Sequence, residues 1–145
     1  MYYKNYVSQV DEKDCGVACL AMILKNFGSN VSLTYLRDIS KTDKEGTTAL
    51  GLVKTAELMG METKAIRADS SLFDKDDIPY PFIAHIITEE KYFHYVTVVR
   101  KRGNKLFVAD PDPTEKIKKI SIDTFMNFWT GIAIFVTPTI QYKPN

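Results

Sequence analysis

Two cysteines near the start of a predicted helix are the side chains best suited to act as nucleophiles. Cys15 follows Asp14, a predicted N-cap, and lies in the first helical turn, where unpaired backbone N–H groups and the helix dipole stabilise an anion. This position favours a thiolate, although a small buried core residue explains the position of Cys15 equally well. Cys19 lies one turn further on, beside Leu20 on the apolar face, and we expect it to be a core residue.

A thiolate nucleophile needs a general base that a third group orients, and the chain has two candidate histidines. His94 opens the predicted strand HYVTVVRK, and the end of a strand readily exposes a catalytic side chain. His85 lies within the apolar run FIAHII and is compatible with a hydrogen-bonded core histidine. Taken alone, each histidine is more often structural than catalytic.

Asp110 ends the predicted strand KLFVAD and is the candidate for the group that orients the histidine. A three-residue hairpin loop over 102–104 places His94 and Asp110 on the same face of the sheet, one diagonal step apart. A two-residue loop over 103–104 places them on opposite faces, because side chains alternate along a strand. The catalytic interpretation therefore predicts the three-residue loop. Asp112 is the alternative partner, although its place in DPDP is typical of a turn.

Gln9 precedes Cys15 by six residues and is a candidate oxyanion donor. An amide close to the nucleophile can form an oxyanion hole together with the backbone N–H of the nucleophile itself. In outline, a glutamine ahead of a helical cysteine, a histidine on a strand and an aspartate on the next strand is the arrangement of papain-like cysteine proteases.

The elements that must position these residues divide the chain into a helical half and a sheet half. Apolar residues recur at spacings of three and four, which predicts helices over 14–27, from Ser32, and from Thr47 or Thr48 to Gly60. Beyond Gly60 the pattern changes to short apolar runs separated by turns, typical of antiparallel hairpins. We predict a helical turn or loop at 70–77, a short helix at 121–129, and strands at 62–68, 82–88, 93–101, 105–110, 117–120 and 132–137. Helices followed by an antiparallel sheet make an α+β fold.

The composition is that of one ordinary globular domain. Of the 145 residues, 45% are hydrophobic and 26% are charged, which is enough for one sizeable core. The 19 Lys and Arg and 18 Asp and Glu leave a formal charge of +1, which disfavours a nucleic-acid partner. No apolar run reaches the roughly 18 residues of a membrane span and the start lacks a secretory signal, so we expect a soluble domain that faces the cytosol.

Neither a disulfide nor a metal site is expected. Cys15 and Cys19 lie four apart along one helix, where the geometry for a disulfide is poor. Structural zinc sites usually pair their ligands at short spacings, and of the cysteines and histidines only the two cysteines are close in sequence.

Several segments resemble the N-terminal peptidase domain of bacterial peptidase-containing ABC transporters. They are QVDEKDCGVACLAMIL, GTTALGLVKTAELMGMETKAI, the FHY around His94, VADPDP and the closing WTGIAIFVTP. The resemblance extends from about Tyr6 to Pro138 and is strongest with streptococcal competence-peptide or bacteriocin exporters. It implies a papain-like fold, with N-terminal helices packed on a C-terminal antiparallel sheet. It also implies a peptidase domain over 1–138 and the start of a linker to a transmembrane domain over 139–145.

The same resemblance implies a role for each candidate. Cys15 is the nucleophile, His94 the base, Asp110 the orienting residue and Gln9 the oxyanion donor. The implied activity is a cysteine endopeptidase that removes the leader of competence-pheromone or bacteriocin precursors by cleaving after a Gly-Gly motif. No cofactor is implied for this domain, because ATP is used by the nucleotide-binding domain of the parent transporter.

The implied partners are a precursor peptide and the rest of a transporter. The precursor carries an amphipathic helical leader that ends in Gly-Gly. The transmembrane and ATPase domains belong to the same chain, in a homodimeric transporter with this domain on the cytoplasmic face of the bacterial membrane. Met59, Met61, Tyr92 and Phe93 are candidates for the leader groove, although core positions suit the methionines better. Two other functions remain open: a catalytically silent leader-docking module of the same fold, and an acyl transferase with the same triad.

Overall fold

The computed structural model describes residues 1–42 and 46–144. Three helices precede the sheet along the chain, which confirms the predicted α+β order. Over the described residues the helices are α1 (Cys15–Asn26), α2 (Leu33–Ser40), α3 (Ala49–Leu58) and α4 (Ile122–Met126). The strands are β1 (Met61–Arg67), β2 (Phe82–Ile87), β3 (Phe93–Arg102), β4 (Lys105–Ala109), β5 (Ile117–Ser121) and β6 (Trp129–Pro138).

Helix α1 is the central element of the helical half. A short 3₁₀ turn, Glu12–Asp14, leads directly into it, and the ten residues from Cys15 to Leu24 are all buried. The helix packs against β3, α2 and α3. A helix that is apolar on nearly every side must be covered on nearly every side, so α1 is enclosed by the other elements.

Side-chain caps fix the starts of the next two helices. The Ser32 hydroxyl accepts a hydrogen bond from the backbone N–H of Tyr35 at 3.1 Å. The Thr48 hydroxyl accepts one from the N–H of Gly51 at 3.0 Å. Each cap satisfies a backbone donor that the first helical turn leaves unpaired. The predicted starts of α2 and α3 are therefore confirmed.

The six strands form one antiparallel sheet in the order β1-β6-β2-β3-β4-β5. One hydrophobic cluster joins helices α1, α2 and α3 to the sheet through Ile83, Tyr95 and Ile134. A second cluster contains most of the buried aromatic rings, including Phe73, Phe82, Phe125 and Trp129. The sheet thus separates two cores, and the helical one includes Cys15 and Cys19.

The hairpin between β3 and β4 has a shorter loop than predicted. Arg102 pairs with Lys105, so the loop contains only Gly103 and Asn104. The predicted three-residue loop is therefore wrong. A two-residue turn is favoured here because Gly103 adopts a φ of +60°, which suits the tight turns of hairpins.

A β-bulge in β3 corrects the register that this short loop would impose. Arg100 pairs with Phe107 near the loop, but further along Val98 pairs with Val108, which leaves Val99 as the extra residue. One extra residue in one strand exchanges the faces to which the following side chains point. The bulge therefore places His94 and Asp110 on the same face of the sheet, as the predicted longer loop would have done.

The chain continues to pack against the domain after β6. The N–H and the hydroxyl of Thr139 both donate to the carbonyl of Gly60, at 3.3 and 2.9 Å. Tyr142 packs against the helical core cluster. The predicted boundary between a domain at 1–138 and a linker at 139–145 stays a prediction, and Asn145 lies outside the described residues.

Two kinds of feature are absent from residues 1–42 and 46–144. Within these ranges no helix combines the length and apolar character needed to cross a membrane. Nor do they contain a group of three or more His, Cys, Asp or Glu side chains placed to hold a metal ion.

We predict that Gly131→Ala destabilises the fold more than Gly103→Ala. Both glycines have positive φ, but a Cβ at Gly131 would lie 2.7 Å from the carbonyl oxygen of Ala68, whereas Gly103 has open space around it. We expect Gly103→Ala to lower the free energy of unfolding by about 1 kcal/mol and Gly131→Ala by about 3 kcal/mol. Urea denaturation measures both, and equal losses would contradict a steric contribution at Gly131.

Candidate active site

Cys15 is the first residue of α1 and lies where this helix meets β3. The residue is 8% exposed. A Cβ at the adjacent Gly16 would lie 3.2 Å from the side chains of both Leu52 and Tyr95, so glycine allows the start of α1 to approach Tyr95 closely. Because Tyr95 follows His94 on β3, this packing brings Cys15 close to the beginning of that strand.

His94 and Asp110 are joined directly, as the catalytic interpretation predicts. His94 Nε2 lies 2.7 Å from Asp110 Oδ1, and both side chains are 13% exposed. The same carboxylate oxygen accepts a hydrogen bond from the N–H of Asp112 at 2.9 Å. The Tyr6 hydroxyl donates to the Asp110 carbonyl at 2.7 Å. Asp110 is therefore held by its neighbours while its side chain holds the imidazole.

The imidazole of His94 connects Asp110 to Cys15. Cys15 lies close enough to His94 to raise the pKa of its ring, and because Nε2 is bound to Asp110, Nδ1 is the ring nitrogen left for the thiol. Burial by itself lowers the pKa of His94. The hydrogen bonds and the charges of Asp110 and Cys15 outweigh burial and raise this pKa to about 10. The site therefore favours the charged imidazolium form of His94.

Gln9 is tied to the site through its backbone. Its N–H donates to the carbonyl of Pro111, the residue after Asp110, at 2.9 Å. Its side-chain Oε1 is buried and, among the described residues, has no hydrogen-bond partner. The structure thus brings Cys15 close to the bonded pair of His94 and Asp110. It places Gln9 beside Asp110 without a hydrogen bond for this side-chain oxygen.

Cys19 is a core residue, as predicted. It is fully buried in the helical cluster. Burial raises the pKa of its thiol well above the ordinary value, the nearby Thr97 hydroxyl lowers it, and the proximity of Cys15 and Asp110 raises it further. A thiol in this environment stays neutral and has no path to a substrate.

His85 is held in a structural role. Its Nδ1 lies 3.0 Å from the Thr130 hydroxyl, and its ring centroid lies 5.2 Å from that of Phe93. Burial lowers the pKa of His85, and the charges of Arg67 and His94 lower it further. The two histidines therefore differ in charge preference: His94 is held charged and His85 neutral.

Asp112, the alternative partner for the histidine, is a turn residue. Its Oδ1 accepts hydrogen bonds from the N–H and the hydroxyl of Thr114, at 2.9 and 2.8 Å. These bonds lower the pKa of Asp112. Because its N–H donates to Asp110, Asp112 supports that carboxylate.

An ion pair beside Cys15 was not predicted from the sequence. Asp14 occupies the N-cap position as predicted, but its side chain makes no capping hydrogen bond to α1. The carboxylate accepts instead from Nε and Nη2 of Arg37, at 2.9 and 2.7 Å. Arg37 belongs to α2, so no pattern within α1 indicates this partner.

The residues considered for a leader groove fall into two groups. Met61 is buried in the core and Met59 packs against it, as expected for core methionines. Tyr92 and Phe93 are 69% and 75% exposed, directly before His94 in the chain. Two exposed aromatic side chains therefore directly precede His94 in the chain.

Comparison with known sequences indicates the family of this chain. The sequence model described as the peptidase C39 family matches residues 3–141. The chain is 54% identical to the mesentericin-Y105 transport/processing ATP-binding protein MesD of Leuconostoc mesenteroides, in an alignment that covers 100% of this chain and 20% of that protein. The chain therefore spans about a fifth of the length of this curated relative.

Comparison with solved structures indicates the same family as the sequence comparison. The peptidase domain of Streptococcus ComA, a bi-functional ABC transporter involved in quorum sensing, matches with a TM-score of 0.88 and 48% identity over 92% of this chain and 97% of that one. A double glycine motif protease from an AMS/PCAT transporter, in complex with the leader peptide, matches with a TM-score of 0.81 and 28% identity over 92% and 90%. The resemblance and fold predicted from the sequence are confirmed, and the chain belongs to the peptidase C39 family.

Proposed function

We propose that this chain is a cysteine endopeptidase that removes leaders from secreted peptide precursors by cutting after Gly-Gly. The observation that carries the proposal is the connected series of Cys15, His94 and Asp110 at the start of a buried helix. Membership of the peptidase C39 family supports a cysteine peptidase. A nucleophile, a base in contact with it and a group that orients the base are the parts that acyl transfer to a thiol requires.

In the proposed reactive state, Cys15 is a thiolate beside the charged imidazolium of His94, which carries the thiol proton on Nδ1. The thiolate attacks the carbonyl carbon of the second glycine, forming the C–S bond while the carbonyl electron pair moves onto oxygen. Asp110 accepts the hydrogen bond from Nε2–H, which keeps Nδ1 directed at Cys15 and stabilises the imidazolium.

The oxyanion formed in this step needs hydrogen-bond donors. The backbone N–H of Cys15 lies at the N-terminus of α1, where no side-chain cap occupies the helix amides. We propose the side-chain amide of Gln9 as the second donor, held near Asp110 by the bond from its backbone to Pro111. Each such donor contributes roughly 3–4 kcal/mol to the transition state in comparable sites.

The intermediate then collapses in two stages. The C–N bond breaks, and His94 gives the proton on Nδ1 to the departing amine, which is the new N-terminus of the mature peptide. Water attacks the remaining thioester with His94 as general base, and the leader leaves as a carboxylic acid. The C–S bond breaks in this stage, which restores the Cys15 thiolate beside the charged imidazolium of His94. Every group in this sequence of steps is a side chain or backbone group of this chain, and the proposal includes no metal or organic cofactor.

The proposed substrate follows from the relatives and from two exposed aromatic residues that precede His94 in the chain. One structural relative is a double glycine motif protease bound to a leader peptide. A channel too narrow for a Cβ would explain a requirement for glycine at both positions. The exposed Tyr92 and Phe93 offer an apolar surface that suits the apolar face of an amphipathic leader helix.

The proposed setting is a transporter for processed peptides. The curated relative is a transport/processing ATP-binding protein, and this chain matches only a fifth of it. We propose that transmembrane and ATPase domains belong to the same protein, which exports the peptide once the leader is removed. Under this proposal the peptidase domain faces the cytoplasm, the transporter is a homodimer, and ATP is used outside this domain.

We predict that the purified domain cleaves a synthetic precursor, with a helical leader ending in Gly-Gly, directly after the second glycine. Cys15→Ala should lower the rate at least about 10⁴-fold, because the nucleophile is lost. Cys19→Ala is the matched control: it should stay within about fivefold of the wild-type rate and lose about 1 kcal/mol of stability, because it removes only a buried sulfur. Mass spectrometry of the products locates the cut.

Three outcomes would contradict this proposal. Cleavage that survives in Cys15→Ala would exclude the assigned nucleophile. Binding of the precursor without cleavage by the wild type would instead favour a leader-docking module. A leader joined to an added amine, rather than ending in a carboxylic acid, would identify an acyl transferase.

We predict that the two histidines titrate on opposite sides of the ordinary value of 6.5. By NMR, the His94 ring should lose its proton near pH 10 and the His85 ring below 6.5. Cys15→Ala should lower the His94 midpoint, because it removes one hydrogen bond and one charge. The stabilisation that charged His94 gives the fold is complete below pH 6.5 and is lost as pH rises through about 10. A His94 midpoint below 6.5 would contradict the ion-paired site.

A further inference from the structure

The carboxylate of Asp14 is an unusual group to find directly before the nucleophile. Its side chain is fully buried and occupies the N-cap position of α1. An aspartate at this position ordinarily accepts a hydrogen bond from the backbone amides of the first helical turn. In this chain no such bond forms, so the amides at the start of α1 remain uncapped by the residue best placed to cap them.

Arg37 accounts for the different orientation of this carboxylate. Two guanidinium nitrogens reach the two oxygens of Asp14, Nε to Oδ1 at 2.9 Å and Nη2 to Oδ2 at 2.7 Å. The N–H of Asp11 donates to Oδ2 from the preceding turn at 3.2 Å. A two-pronged pair of this kind fixes direction as well as charge. The carboxylate is therefore held toward α2 and the 3₁₀ turn.

The direction of the Asp14 carboxylate matters for the proposed chemistry because Asp14 directly precedes Cys15. A carboxylate that turned back onto α1 would bind the backbone amides of the second and third helical residues, Gly16 and Val17, whose positive field stabilises the adjacent Cys15 thiolate. It would also place a negative charge, unpaired, next to a sulfur that must itself become negative. An arginine that pairs with this charge removes both conflicts.

We propose that Arg37 is a positioning residue for catalysis: by holding and neutralising the Asp14 carboxylate, it keeps the N-terminus of α1 free and positive for Cys15. This inference rests on the proposed function and deepens it. Arg37 lies on α2 and its guanidinium is bound to Asp14, so it acts through that residue.

Other charges act on the same sulfur and must stay constant in any test. Among the described residues, the ionisable groups that interact with Cys15 include His94, Tyr95 and Cys19. The acidic groups that face Arg37 are Asp14, Asp11 and Asp38. Among these, Asp14 is the group next to Cys15 in the chain that also receives the Arg37 bonds, so substitution at Asp14 isolates the proposed effect.

A double-mutant cycle tests the inference. The rate of Cys15 alkylation by iodoacetamide is measured from pH 5 to 9 in the wild type, Arg37→Gln, Asp14→Asn and the double variant, with fragmentation mass spectrometry to locate the adduct. For Arg37→Gln we expect alkylation at pH 7 and kcat for the precursor to fall about 10- to 30-fold, with KM within about twofold. The alkylation profile should also move to higher pH.

Rescue distinguishes this electrostatic role from a packing role. If Arg37 acts by neutralising Asp14, the double variant lacks the charge that needs neutralising and should recover to within about fivefold of the wild type. A double variant as slow as Arg37→Gln, or slower, would overturn the inference, and so would an unchanged alkylation rate in Arg37→Gln. Arg102→Gln, at the exposed end of β3, is the matched control and should change neither rate.

Two further measurements keep the test decisive. Thermal unfolding shows whether Arg37→Gln is folded. If it is not, Arg37→Lys keeps the charge, and a loss of alkylation rate above about tenfold in that folded variant would overturn the inference.

The alkylation measurement also separates this inference from the proposed function, because alkylation requires no peptide. A wild type that alkylates readily but does not cleave would contradict the proposed function, whereas a cycle that fails in a cleaving enzyme would contradict only the role of Arg37.

Discussion

The burial of helix α1 against the sheet is the constraint on which the rest of this structure depends. Ten consecutive residues of the helix are covered, and Gly16 lets its first turn come within contact distance of Tyr95 on β3. Cys15 and His94 come from opposite halves of the chain, and they lie close enough to influence each other only because this packing fixes the position of the helix. The close-packed core is therefore part of the catalytic geometry, since a shift of the helix would separate the two side chains.

Because the N-terminus of α1 is buried, the carboxylates near it are paired with cationic side chains. Asp110 and Asp14 both lie near Cys15, and each is paired: Asp110 with His94, and Asp14 with Arg37. In a poorly solvated site an unpaired carboxylate would oppose a second negative charge on sulfur. Cys19 shows the contrast, because one turn deeper the same helix offers no cation and burial keeps the thiol neutral. The difference between the two cysteines is therefore one of environment.

Local patterns in the sequence predict most of the elements, because caps such as Ser32 and Thr48 and the spacing of apolar residues act over a few positions. The contact between His94 and Asp110 is also predictable from the sequence, but the backbone geometry that produces it is not. The catalytic interpretation required a three-residue hairpin loop, whereas the structure uses a two-residue loop and a bulge at Val99, and no local residue type marks that bulge. The Arg37 pair joins two helices, so it depends on tertiary packing that a single helix pattern does not contain.

The most direct test of the account is a crystal structure of the domain with a leader peptide whose second glycine is replaced by its aldehyde. The account predicts a covalent bond from the Cys15 sulfur to the aldehyde carbon, with the former carbonyl oxygen facing the Cys15 N–H and the Gln9 amide, and with Nδ1 of His94 beside the sulfur. An aldehyde bound to another residue, or lying unbonded beside an intact Cys15, would contradict it.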